Sequence, residues 1–242
     1  MALNNSIAKR PAQQEKVVEY QVNGETIKLS PNMVRTYLTN GNGQVTDAEL
    51  AYFINLCKYQ KLNPLIKECH LVKYGSQPAT MIVGKDALLK RAMRNPRYAG
   101  HQAGVIVLKE NGELEHRTGS VVLEGEKLVG GWAKTFVQGY EIPIEAAVSF
   151  KEYAGTTKDG NLNSMWSGKP GTMIRKTALV NSLREAFPED LSGLYAAEEV
   201  GAEIDETTMV PVDVIAETES EDAQDYEDAT PEQQTTMELQ DF

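Results

Sequence analysis

The 242-residue chain lacks any run of 18 or more apolar residues, which excludes a membrane-spanning helix. It has only two cysteines, Cys57 and Cys69, too few for a disulfide scaffold and suited to a reducing compartment as small apolar side chains. Its three histidines, His70, His101 and His116, stand in no metal-ligand spacing with cysteines or acids. Strand alternation would send Cys69 and His70 to opposite faces, so no metal site and no cofactor are expected. The phosphate-loop pattern G-x-x-x-x-G-K-[ST] and the nucleophile elbow G-x-S-x-G are both missing. Gly168-Lys169-Pro170-Gly171-Thr172 shares only composition with the former. The first residues, MALNNSIAKRPAQQEKVV, carry neither an apolar core nor a small-residue cleavage site, so a cytoplasmic location is expected.

Cations are missing from one end. All 24 Lys and Arg lie at or before Arg184, where only 16 of the 35 acids fall, leaving residues 1–184 at about +8. The remaining 58 residues hold 19 acids and no Lys or Arg. The net charge of -11 therefore hides a basic body with an acidic tail, an asymmetry that suits a polyanion partner as well as a merely solvating tail.

Hydrophobic spacing predicts an α+β fold: a small antiparallel sheet, as hairpin plus meander, packed with helices. Residues 1–45 read as an N-terminal arm for oligomer contacts, with Met1–Asn23 ordering against a partner and Asn32–Leu38 as a short helix. Residues 46–197 form the core. Thr46 and Glu49 make a capping-box pattern ahead of Leu50, Phe53, Ile54 and Cys57, and Leu62-Asn63-Pro64 ends that helix. Cys69–Tyr74 and Thr80–Val83 form a hairpin, followed by a helix over Lys85–Arg94 whose Leu88, Leu89, Ala92 and Met93 oppose Lys90, Arg91 and Arg94. Gly104–Leu108, Ser120–Leu123, Gly130–Val137 and Ile142–Phe150 form the meander, with turns at Asn111-Gly112 and Glu124-Gly125. On one strand face Trp132, Lys134 and Phe136 mix aromatics with a cation, either a stacking surface or core aromatics beside an exposed lysine. Residues 198–242 are too acidic and too poor in aromatics to offset their ordering entropy, and are expected to be disordered.

Ser164–Tyr195 concentrates the chemistry. A tryptophan and a Gly/Pro loop carrying Lys169 precede a helix from Gly171 to about Ala186, with Arg175 and Lys176 in its first turns. Flexible backbone, cations and a helix start suit a phosphate backbone. Lys176 shares a helical row with Val180, Leu183 and Phe187; its stem either packs on the core while the ammonium reaches solvent, or the ammonium meets a phosphate.

These residues carry a resemblance. Met165-Trp166, Pro170, Met173-Ile174-Arg175-Lys176, Asn181–Pro188 and Gly193–Glu199 look like the C-terminal signature of the RecT family of phage and prophage single-strand annealing proteins. Asn63-Pro64, Cys69–Tyr74, Met81–Asp86 and Arg91-Ala92 are also similar, so the resemblance spans Thr46–Glu199. It implies a recombinase acting without ATP, not an enzyme, that coats single-stranded DNA and pairs it into an annealed duplex as a homo-oligomeric ring or helical filament. It further implies a fold distantly like the eukaryotic annealing rings, and a phage exonuclease and host single-strand binding protein as partners in the bacterial cell. DNA contacts carry over onto Lys85, Arg91, Arg175 and Lys176, then Lys169 and Arg94; Trp166 and Met173 either contact bases or support the groove. Two other classes compete. One is a metal-dependent nuclease using Glu145, Glu152 and Asp159; the other is an RNA-binding scaffold.

Overall fold

In the computed structural model the described residues are 16–157 and 159–200, and they begin with a hairpin. Strands β1 (Val18–Val22) and β2 (Glu25–Leu29) pair antiparallel through Asn23-Gly24. Both turn residues have positive φ, 54° and 90°, which matches the right-handed twist of a two-residue hairpin and which Asn and Gly tolerate best. Tyr20, Val22, Ile27 and Leu29 are buried, and the Tyr20 hydroxyl donates to the Leu62 carbonyl at 2.7 Å. The expectation of a partner-dependent arm over Met1–Asn23 is therefore corrected for Val18 onward: alternating apolar residues give this hairpin a buried face of its own. Residues 1–15 lie outside the described residues.

Ser30 caps a short helix, α1 (Pro31–Met33), by accepting from the Met33 amide, and the chain continues through a π-helical turn, Val34–Leu38. Strand β3 (Thr39–Asn40) leads to helix α2 (Asp47–Gln60). The Thr46–Glu49 capping box is formed, and Leu50, Phe53, Ile54 and Cys57 make the buried stripe. Glu49 does more than cap. Its carboxylate also accepts from Lys73 Nζ at 2.8 Å and from the Ala79 amide at 2.9 Å, which ties the helix start to the next hairpin.

That hairpin is β4 (Cys69–Val72) and β5 (Thr80–Val83), as the spacing predicts, and β3 joins it in parallel to give the order β3-β4-β5. Central β4 is buried at all four positions. His70 thus lies inside together with Cys69, whose Sγ sits 3.5 Å from Cys57 Sγ. Gly84 opens helix α3 (Lys85–Arg94).

The larger sheet is antiparallel, in the order β7-β6-β8-β9: β6 (Tyr98–Leu108), β7 (Leu114–Thr118), β8 (Lys127–Val137) and β9 (Ile144–Ser149). The expected strand over Ser120–Leu123 is corrected to β7, five residues long and half-buried or exposed throughout. An edge strand that buries neither face carries no alternation to read. Residues Ser120–Leu123 instead enter a loop that the Glu126 carboxylate closes, accepting from Arg117 and from the Leu123 amide.

Short helices α4 (Phe150–Tyr153) and α5 (Ser164–Gly168) precede α6 (Pro170–Ala186), followed by α7 (Pro188–Leu191) and α8 (Ala197–Val200). Helix α6 lies on the sheet, against β8, β9 and β6. Glycines permit this close packing: a Cβ on Gly131 would come within 2.5 Å of the Ile174 carbonyl, and one on Gly171 within 2.4 Å of the Ser120 carbonyl. Thr135 and Ser182 hydroxyls meet at 2.7 Å between the layers, satisfying two buried polar groups. The α+β architecture, an antiparallel sheet covered by helices, is as the spacing predicts. The expected disordered tail lies outside the described residues from Gly201 onward.

Candidate functional site

Helices α3 and α6 both pack on β6, and they carry the cations Lys85 and Arg175. Arg175 Nε donates to the Ala103 carbonyl at 3.2 Å, which lays its side chain across β6. Two residues earlier on the same face stands His101, opposite Thr135. His101 Nδ1 is 2.6 Å from the Tyr98 hydroxyl, and Tyr98 packs on Phe187 from the end of α6. Burial, then the charges of Arg175 and Lys85, hold the His101 imidazole below its ordinary pKa. Lys85 stands at the first position of α3, the helix that packs on both α6 and β6. Its ammonium pairs with exposed Asp86 at 2.6 Å, an ion pair that is screened in water and easily exchanged.

The other expected DNA-binding residues divide. Lys176 is half-buried beside Arg175, and Lys169 is exposed at the junction of α5 and α6. Arg94 is exposed on another face of α3. Arg91 is turned away: its Nη2 donates to the Gln60 carbonyl at 2.6 Å, closing the end of α2, and its Nη1 is buried without a hydrogen-bond partner. Burial lowers its pKa, while nearby Asp190 and Glu68 favour its charge. Trp166 is 1% exposed and packs edge-on against Phe150, and Met173 is 5% exposed. Both sit beneath the surface. Trp132 is buried with Nε1 donating to the Arg117 carbonyl, and Lys134 pairs with Glu145, so this strand face follows the core reading.

A segment after α7 braces the far side. Tyr195 presents its carbonyl to the Val83 amide at 2.9 Å, one residue before the Gly84 turn that starts α3. Arg184 holds Glu199 through both guanidinium Nη atoms and stacks 4.9 Å from the Tyr195 ring centre. The Leu194–Glu199 stretch is thereby fixed between α6 and β5.

The residues of the signature are thus spread over one continuous unit, and a family comparison matches that unit. The RecT family model covers residues 7–211. The chain belongs to the RecT family. It is also 32% identical, over 149 residues, to an uncharacterized protein of Ureaplasma parvum serovar 3, covering 62% of this chain and 54% of that protein. The match spans about half the length of that relative. Within this RecT-family chain, no helix among the described residues is long and apolar enough to cross a membrane. Among the described residues no three His, Cys, Asp or Glu side chains gather into a metal-binding group.

Sequence reasoning missed His101 and Tyr98. No local motif marks them, because their surroundings exist only once α3 and α6 have docked on β6. Arg91 was legible as a cation, but its turn toward Gln60 was not.

Proposed function

We propose that this chain is a single-strand annealing protein that binds single-stranded DNA and pairs complementary strands without ATP, as an oligomer gripping phosphate backbones in a basic groove. The observation that carries the reading is the match of residues 7–211 to the RecT family, in a fold where Arg175 docks on β6 and Lys85 opens the helix packed against that strand. Annealing requires no bond chemistry. A protein that pairs any two complementary sequences must hold backbones and leave base edges free. Two strands held side by side meet at a lower entropic cost.

Within this reading Lys85, Arg175 and Lys176 hold the backbone, exposed Lys169 extends the charge along it, and Arg94 adds a cation on another face of α3. Arg91, Trp166 and Met173 hold the scaffold in shape. Each protomer supplies few cations, so a ring or helical filament lengthens the groove. A phage exonuclease would supply single strands and a host single-strand binding protein would hand them over. The test is to mix labelled complementary oligonucleotides with purified protein: accelerated pairing of intact strands supports the proposal, while shortened strands or unchanged pairing rates refute it.

A further inference from the structure

We propose that His101 is a further phosphate-binding group of this site, neutral in the free protein and taking up a proton when a phosphodiester backbone settles beside Lys85 and Arg175. The inference rests on the annealing reading and deepens it. The ring's placement, its hydrogen bond to Tyr98 and the charges that act on it lead to this proposal.

The ring is placed on the site. His101 pairs across the sheet with Thr135, whose hydroxyl reaches Ser182 of α6, so both face the helix layer. Arg175 crosses to Ala103 two residues away on that same face. His101 is half-buried, neither sealed in the core nor free in solvent.

Two cations oppose protonation of the ring. Lys85 from α3 and Arg175 from α6 are the charged groups that act on the ring, and both oppose its protonation. Tyr98, on β6 itself, is the titratable neighbour that touches it, and burial raises that phenol's pKa, keeping it neutral. Asp86 is engaged by Lys85. An arriving phosphate would reverse this balance, because it neutralises the two cations and offers the imidazolium an acceptor.

The hydrogen bond to Tyr98 survives either state. A phenol can donate to a bare Nδ1 or accept from a protonated one, so proton uptake needs no rearrangement of the ring. A backbone carbonyl in the same place would have held Nδ1 permanently protonated.

Strand binding should therefore take up a proton at His101 and tighten as pH falls. The experiment is anisotropy of a labelled oligothymidylate, with a pH-insensitive dye, at pH 7.8 and 5.8 and fixed ionic strength, for the wild type and His101→Gln. Wild type should tighten about three- to tenfold at the lower pH, since each unit of pKa displacement is worth about a factor of ten. His101→Gln should lose most of that increment between pH 7.8 and 5.8. A variant retaining the full wild-type pH dependence, with His70 and His116 intact, would overturn the proposal while leaving the annealing reading standing. No strand binding by wild type at either pH would overturn both. Should the variant misfold, the His101 imidazole pKa, followed by NMR in wild type with and without oligonucleotide, decides the matter. An upward displacement on binding is expected, and an unmoved value refutes the proposal.

Discussion

Arg175 and Ala103, 72 residues apart in the chain, are joined by a hydrogen bond of 3.2 Å from the guanidinium Nε to the carbonyl oxygen. The bond commits the Nε edge of the guanidinium to β6. Replacing Arg175 with Gln should weaken single-strand binding about tenfold, the value of one charge-assisted hydrogen bond. The slope of log affinity against log salt should flatten by about 0.7, because one fewer phosphate is neutralised. Binding titrations across a salt series check both, and an unchanged slope would remove Arg175 from the interface.

Trp166 gives the contrasting case. At 1% exposure its removal leaves a large cavity beneath α6, so Trp166→Ala should cost about 3–5 kcal/mol in chemical denaturation. The milder Trp166→Phe should fold and bind strands within about twofold of wild type. A large drop in affinity in a fully stable Trp166→Phe protein would show direct stacking on bases instead.

The brace at Arg184 makes a stability prediction. Glu199 is 6% exposed, so Arg184→Ala would leave a carboxylate nearly buried and without its bidentate partner. The cost should be about 3–5 kcal/mol, read as a shift of the denaturation midpoint. Glu199→Gln, which removes the charge, should cost less. Equal costs would argue that packing on Tyr195 outweighs the ion pair.

Acid should act through identifiable groups. The Lys73 ammonium and the Thr46 and Ala79 amides hold Glu49 down at about 2, and Arg117 does the same to Glu126, also at about 2. A depressed carboxylate stabilises the fold above its unfolded pKa and loses that contribution as pH falls through its folded value. Stability should therefore decline from about pH 4.5 toward 2, and Glu49→Gln should reduce the slope in that window. His101 adds a second, milder decline below about pH 6.5, because its folded pKa is lowered and the unfolded chain binds the proton more readily. Denaturant midpoints measured from pH 8 to pH 2 would resolve the two windows, and a flat profile between 4.5 and 2 would contradict the assignment.

What could be read in advance followed from how local each signal is. The Thr46–Glu49 capping box is written in a few adjacent residues and stands as its spacing predicts; the strand expected over Ile142–Phe150 is Ile144–Ser149, and the helix expected from Gly171 starts one residue earlier, at Pro170. The Val18–Leu29 hairpin was equally local, with Asn23-Gly24 between alternating apolar residues, yet the polar residues around it hid the pattern. Strand β7 was not legible at all, since Leu114–Thr118 is held by pairing with β6 rather than by a buried face. At the site, charge and helix position pointed to Lys85 and Arg175. That Arg91 caps a neighbouring helix depends on tertiary packing that spacing does not encode.

Lys85 and Arg175 acting together are the core of the account, and their joint removal tests it most directly. Annealing of labelled complementary oligonucleotides should be compared for wild type and Lys85→Ala/Arg175→Ala, with thermal stability measured alongside. The account predicts intact strands throughout, a wild-type rate well above the protein-free rate, and a double variant that remains folded while its annealing falls back to near the protein-free rate. A folded double variant that anneals as fast as wild type would contradict it.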